Sequence, residues 1–201
     1  MKRFCILTAA ALLAACGGGG SDGGSSGIDP RLARLDIYEA QKLRVLGDPG
    51  AGVIDMVSTP QAAIPDMGTA VFTGSATVRV ENPNAALVLF GDSTVTIGFE
   101  DASISGTMDG FFGTNSTGDV VDYQGGIIID GGSLMDGVSL DYVGSLTASG
   151  ENLVFEGMMQ GTLLGNPVLA ISAADLEPDV IHNGVSVDAT LVLIGEITDE
   201  P

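Results

Sequence analysis

From residue 68 to the end of the chain, apolar side chains return at every second position, and this period of two restricts the fold more than any other feature. In 69–81, Ala70, Phe72, Gly74, Ala76 and Val78 share one face, and Val71, Thr73, Ser75, Thr77 and Arg79 share the other. Successive side chains point to opposite sides only in a β-strand, so one apolar face and one polar face mean a half-buried strand. The same pattern recurs. Residues 86–90 are followed by Gly91-Asp92, then by 93–99 with Val95, Ile97 and Phe99 on one face. Residues 102–111 place Ile104, Gly106 and Met108 together. Strands are expected over 119–129 and 134–146, with Asp130-Gly131-Gly132 as the turn between them. Ser149-Gly150-Glu151-Asn152 reads as a hairpin turn, after which Leu153, Phe155, Gly157, Met159, Gly161 and Leu163 line one face. A short strand over 168–173, a loop over 175–183 containing Pro178, and a last strand over 184–196 with Val185, Val187, Ala189, Leu191 and Leu193 on one side complete the series.

About eight strands joined by short Gly, Asp and Asn turns predict an antiparallel barrel or sandwich. Eight suit a closed barrel whose interior side chains just fill, or which leaves room for one small ligand. The glycines inside strands (74, 98, 106, 157 and 161) are read as points where barrel strands bend. A membrane-spanning barrel carries aromatic girdles and an apolar outer band. This chain has no Trp and three Tyr, and its polar faces are Ser, Thr and Asp, so the barrel is expected to be soluble.

The N-terminal third is organised differently. Asp29 is a good helix cap and Pro30 is tolerated at the first helical position, so a helix is expected over 30–45, ended by Asp48-Pro49-Gly50. Leu32, Leu35, Tyr38 and Leu43 would form its apolar stripe, with Arg31, Arg34, Glu39 and Lys42 on the surface. Residues 47–67 read as a loop with Pro60 and Pro65. Before the helix, residues 17–27 read GGGGSDGGSSG, a flexible tether spanning roughly 18 Å for about 11 residues.

Before the tether, Lys2 and Arg3 precede an apolar run over residues 5–15 that closes in Leu13-Ala14-Ala15-Cys16. The run is too short to span a bilayer, which takes about 20 residues, and has the form of a secretory signal. Small residues directly followed by Cys are the lipobox pattern of type II signal peptides. That resemblance implies cleavage before Cys16, a thioether-linked diacylglycerol on its sulfur and an acyl chain such as palmitate on its new amine. Two or more chains make anchoring stable where a single myristoyl chain is marginal. Gly17, where an Asp would favour retention at the inner membrane, points to the outer membrane, on its periplasmic face or at the cell surface. The expected organisation is a signal peptide over 1–15, lipidated Cys and tether over 16–28, helix and loop over 29–66, and barrel over 67–198.

Charge narrows the partners. The chain has 26 Asp and Glu against 7 Lys and Arg, and no Lys or Arg follows Arg79. Loss of Lys2 and Arg3 with the signal would take the net charge from −19 to −21. Nucleic acid and anionic membrane surfaces are excluded by repulsion, leaving cations, cationic ligands and basic protein patches. The acidity also serves solubility. Four of the five remaining basic residues sit in or beside the helix, so it is expected to dock electrostatically on the acidic remainder.

Few residues suggest chemistry. With Cys5 removed and Cys16 acylated, no thiol remains for a disulfide or a zinc site. His182 is the single histidine; its flanks, Asp179, Asn183 and Ser186, have no catalytic spacing, and it reads as a solvated loop residue. The acidic stretches 119–122 and 130–137 could offer oxygen ligands to calcium, but they match neither the EF-hand spacing nor the nonapeptide repeat, and turn formation accounts for them. No cofactor and no enzymatic activity are expected, and Cys16 is the one residue given a defined chemical role.

The lipobox, the Gly/Ser tether and the Gly-punctuated β-domain together resemble the transferrin-binding protein-like β-barrel surface lipoproteins. The stretches that carry the likeness are Met67-Gly68-Thr69-Ala70-Val71-Phe72-Thr73-Gly74-Ser75-Ala76, residues 95–111 with Phe99 and Ile104-Ser105-Gly106-Thr107, and the Gly157 to Gly161 strand. The resemblance covers residues 67–198. It implies an eight-stranded barrel that binds host proteins or haem-type ligands. No partner-binding residue carries over, because no loop here matches a motif. The expectation is a membrane-anchored binding module for a protein or small-molecule ligand; the alternative is an envelope-maintenance lipoprotein with no ligand.

Overall fold

A computed structural model describes residues 29–83, 85–134 and 137–198. The signal, Cys16 and the tether lie outside the described residues, as do Met135 and Asp136 of the second acidic stretch.

Eleven strands follow a single helix: β1 (Thr69–Val80), β2 (Leu87–Gly98), β3 (Ser103–Thr114), β4 (Val120–Asp122), β5 (Gln124–Ser133), β6 (Val138–Ala148), β7 (Glu151–Leu164), β8 (Ala170–Asp175), β9 (Asp179–His182), β10 (Val185–Val187) and β11 (Ala189–Ile197). Eight of them close a ring in the order β1-β2-β3-β5-β6-β7-β8-β11, with β11 returning to β1. Every pairing is antiparallel. The remaining three prolong ring strands past a break. β4 runs on along β3 beyond β5, β9 along β7 beyond β8, and β10 pairs β9 as β11 pairs β8. The architecture is the eight-stranded barrel with one N-terminal helix that the alternation implies. The closing register runs from Phe72 opposite Ile197 to Val80 opposite Ala189.

Four local expectations are corrected. Gly91-Asp92 is not a turn: it lies within β2 in unbroken register with β1, and the extra residue belongs to β3, where Gly110 and Phe111 together face Gly91. Asp130-Gly131-Gly132 lies within β5, where the register slips between Ile129 and Gly132. Asp130-Gly131-Gly132 has turn-like composition but forms a β-bulge, which bends a strand and sharpens its twist. The stretch 175–183 holds β9 rather than only a loop. The final strand is two pieces, and Val185 is exposed while Ala189, Leu191 and Leu193 are buried.

The inward faces are those the period of two selects. Phe72, Val78, Leu89, Val95, Ile97, Met108, Phe111, Ile127, Leu140, Leu153, Phe155, Met159 and Leu193 belong to one continuous buried cluster inside the ring. Side chains therefore fill the interior, as an eight-stranded barrel permits. At Gly74, Gly106 and Gly161 an added Cβ would run into the carbonyl oxygens of Ile194, Thr94 and Ser172 on the neighbouring strands. Close strand approach in a tightly bent wall, not approach of a ligand, explains these glycines.

Helix α1 (Pro30–Leu46) lies across the outside of this wall. Asp29 caps it by accepting from the Arg31 amide at 2.9 Å, and Gly47, with φ +65, ends it. The buried residues are Tyr38, Gln41 and Val45, whereas Leu32 and Leu43 are exposed. The apolar stripe expected from the leucines is thus displaced. The docked face runs through Arg34, Tyr38, Gln41 and Val45, one helical row. Polar bonds decide the orientation. Gln41 donates to the carbonyl of Thr73 at 3.0 Å, Tyr38 to Asp92 Oδ1 at 2.6 Å, and Arg34 to Asp92 Oδ2 at 2.8 Å and the Gly110 carbonyl at 2.9 Å. Arg34 also lies 4.8 Å over the Phe112 ring. Arg44 forks onto Glu196, which holds that carboxyl below its ordinary value. Val45 packs with Leu164, Ala170 and Ile194. Electrostatic docking of the basic helix is therefore observed, with Arg34 inside the contact rather than on the surface.

The chain then crosses one mouth of the barrel. Thr59 N–H donates to the Leu163 carbonyl and Gly165 N–H to the Val57 carbonyl, both at 2.8 Å, and Ile64 packs on the core cluster. A cavity of about 130 Å³ remains there, lined by Thr59, Gln61, Ile64, Leu134, Val138 and Leu163. Among the described residues, no helix is long and apolar enough to cross a membrane.

Candidate functional site

Two places in the barrel carry side chains that its packing does not demand: the mouth opposite the one that residues 57–64 cross, and the outer wall of β5, β6, β7 and β9.

At this mouth, three connections converge. The β6–β7 hairpin, which turns at Ser149-Gly150 as its composition implies, delivers Glu151 as the first residue of β7. β9 delivers His182 as its last residue, and the β3–β4 loop delivers Ser116. The Ser116 amide donates to Glu151 Oε1 at 2.7 Å, and His182 Nε2 meets Glu151 Oε2 at 2.5 Å. Both side chains are buried, His182 at 8% exposure. The reading of His182 as a solvated loop residue is overturned: it ends a strand and is paired with a carboxylate 31 positions away. Burial pushes the Glu151 carboxyl up, but the Ser116 bonds and the His182 imidazole together outweigh it, and the group sits below its ordinary value. Its charge in turn adds to burial in pushing the Tyr123 phenol up to about 12. Asn183 closes the cluster by donating to the Gly150 carbonyl at 3.1 Å. Among the described residues no hydroxyl is hydrogen-bonded to the imidazole, so a nucleophile–base pair is not assembled. What this cluster does is tie three loops together.

The acidic stretches resolve into local structure. Asp119 accepts from the Thr117 hydroxyl at 2.7 Å, and Asp122 stands 3.8 Å from Arg31. Asp130 is exposed on β5. Among the described residues no group of three or more His, Cys, Asp or Glu converges as metal ligands.

The outer wall of β5, β6, β7 and β9 is the second place. Residues facing out from β1 to β3 are largely Thr and Ser, including Thr73, Thr77, Thr94, Thr96 and Thr107. On the opposite wall β-branched side chains stand out instead. Ile128 of β5 lies directly across from Val143 of β6, at 56% and 53% exposure, and Val154 of β7 across from Ile181 of β9. Val143 faces Glu156, so Val154 and Met158 on either side of Glu156 are its diagonal neighbours. The five apolar residues are therefore contiguous across four strands. The exposed carboxylates of Asp130, Asp141, Glu156 and Asp179 stand among and beside them. The period of two marked these positions as outward; their neighbourhood follows only from register, which the sequence does not display.

No family model, no curated protein and no solved structure matches the chain.

Proposed function

We propose that this chain is a lipid-anchored envelope protein, held through Cys16, whose barrel binds a partner protein with its outer surface. The observation that carries this reading is the filled interior: Phe72, Phe111, Phe155 and Met108 occupy the space in which a barrel would hold a small ligand. The contiguous apolar residues of the β5–β9 wall give a protein partner a place to dock. The lipobox supports the anchor and the outer-membrane location, and the likeness to transferrin-binding protein-like lipoproteins supports a binding role without an enzymatic one. The filled interior also favours a second reading, an envelope-maintenance lipoprotein with no ligand.

Fractionation of cells making the natural chain or Cys16→Ser tests the anchor. The natural chain is expected in the membrane fraction as an acylated, processed species, and Cys16→Ser as an unprocessed or released one. A processed, acylated Cys16→Ser chain would sink the claim. Protease treatment of intact cells then separates the roles. Degradation of the barrel places it where an external partner reaches it; protection favours the maintenance reading.

A further inference from the structure

The outer wall of β5, β6, β7 and β9 has a chemistry that selects its partner. Two cross-strand apolar pairs, Ile128–Val143 and Val154–Ile181, are joined through the diagonal neighbours Val143, Val154 and Met158. Branched side chains suit exposed strand positions by propensity alone, and scattered ones need no explanation. Here they adjoin one another on consecutive strands, on a wall that α1 does not cover.

Charge decides which occupant fits. Asp130, Asp141, Glu156 and Asp179 are exposed on the same four strands. The chain has no Lys or Arg after Arg79, so nothing on these strands can neutralise them. The cations of the described residues are spent elsewhere: Arg31, Arg34 and Arg44 face Asp29, Asp92 and Glu196, Lys42 faces Glu39, and Arg79 faces Glu81. A second copy of this chain would bring its own carboxylates against these, and an anionic lipid surface is repelled for the same reason. Apolar side chains set among carboxylates without counter-charges match a surface of apolar residues flanked by Lys and Arg. Complementarity of that kind steers encounter and selects partners.

We infer that the β5–β6–β7–β9 wall, centred on Val143, Val154 and Glu156, docks a cationic amphipathic segment of a partner protein. This rests on the binding role proposed above and names the surface and the partner's chemistry. It is independent of the anchor, so a failed fractionation result and a failed docking result are separable.

The test titrates the purified full-length chain against a labelled Leu/Lys peptide of about 18 residues, five helical turns with leucine on one face. A peptide with every Lys replaced by Glu is the negative probe. Saturable one-to-one binding that weakens with salt is expected for the Lys peptide, and none for the Glu peptide. The pair Val143→Ser with Val154→Ser leaves the net charge unchanged and is expected to weaken binding about tenfold. The control pair Val88→Ser with Val192→Ser, half-buried on β2 and β11, is expected to leave it within about twofold. Thermal unfolding checks that each pair folds. Should the first pair misfold, Glu156→Gln supplies the reading on its own: weaker binding and a shallower salt dependence, unlike Glu100→Gln in the β2–β3 turn. Equal losses from both serine pairs would mean diffuse attraction to an acidic protein and would overturn the assignment. So would the absence of binding at low salt, or sedimentation showing a self-associated chain that Val143→Ser dissociates, which would make a second copy the occupant.

Discussion

The phenol of Tyr142 on β6 reaches past β7 to donate to Asp175 Oδ2 on β8 at 2.9 Å, through the gap left by Gly157. A Cβ at Gly157 would stand 2.6 Å from the Tyr142 hydroxyl oxygen and 2.7 Å from Asp175 Oδ2. Gly157 is thus the floor over which one strand's side chain is bonded to a strand two places away.

Gly157→Ala should therefore push the tyrosine off Asp175 and lose about 1–3 kcal/mol of stability, as overpacking of a filled interior does. Tyr142→Phe removes the hydroxyl and keeps the ring, and should lose about 1 kcal/mol. Urea unfolding compares the two. A neutral Gly157→Ala would show that the ring tolerates a different path.

The chain has three tyrosines and no tryptophan, so phenolate absorbance reports on Tyr38, Tyr123 and Tyr142 alone. Burial, reinforced by nearby carboxylates, raises all three; Tyr38 and Tyr123 are pushed up to about 12, and Tyr142 is raised further. Each phenol keeps its proton longer in the folded chain than in the unfolded one. Their contribution to stability is complete below pH 10; that of Tyr38 and Tyr123 is lost as pH climbs through 12, and that of Tyr142 later. A spectrophotometric titration of the folded protein should show little phenolate at pH 10.5. A normal transition centred on pH 10 would contradict the buried environments.

The Glu151 carboxyl is held below its ordinary value, so its contribution has the opposite sign: present above about pH 4.5 and lost as pH falls through the folded value. Glu151→Ala strips the Ser116 amide and the His182 ring of their acceptor and should lose about 1–3 kcal/mol. Hydrogen exchange is the sharper measurement. The Ser116 amide should lose protection in the variant and, in the natural chain, at pH 3. Unchanged protection in both would mean that the loop holds without the carboxylate.

Arg34 serves Asp92, the Gly110 carbonyl and the Tyr38 hydroxyl with one planar fork, while lying over Phe112. An ammonium cannot reproduce both the fork and the stacking. Arg34→Lys should loosen α1 from the barrel by about 1–2 kcal/mol, seen as faster exchange of the Tyr38 and Gln41 amides with β-sheet amides unchanged. Exchange identical to the natural chain would assign helix docking to Val45 and Arg44 instead.

What the sequence displayed depended on the range of the interaction. Alternation named nearly every inward residue of β1 and β7, because a closed barrel sorts side chains by parity; on β3 it held only as far as Met108, since the extra residue at Gly110-Phe111 turns Phe111 inward off that parity. The Ser149-Gly150 hairpin was equally readable, since a turn is local. The bulges at Gly110-Phe111 and at Asp130-Gly131 were not, because an extra residue in a strand leaves no mark in local composition that separates it from a turn or from an unbroken strand. The docked face of α1 was misplaced for another reason. Leucine spacing points to one face, while the barrel wall beneath the helix offers Asp92, the Thr73 carbonyl and Glu196 and so selects Arg34, Gln41 and Arg44. Glu151 and His182 had no signal at all: they meet only because β7 and β9 pair, and nothing in either neighbourhood marks a distant partner. The contiguity of Ile128, Val143, Val154 and Ile181 was hidden in the same way.

The pairing of β1 with β11 has a consequence for how the barrel comes into being. The first strand waits for the last, across more than a hundred intervening residues, and contacts of that span form slowly. Until Ala189–Ile197 is present, β1 and β8 each show a row of unpaired amides and carbonyls, which invites association with other chains. A chain interrupted before Ala189 is therefore not a smaller barrel but an open ribbon with two sticky margins, and α1, whose contacts straddle the junction through Gln41 and Arg44, has only half a seat. Synthesis from the N-terminus delivers the strapping helix early and the keystone strand after every other strand of the ring.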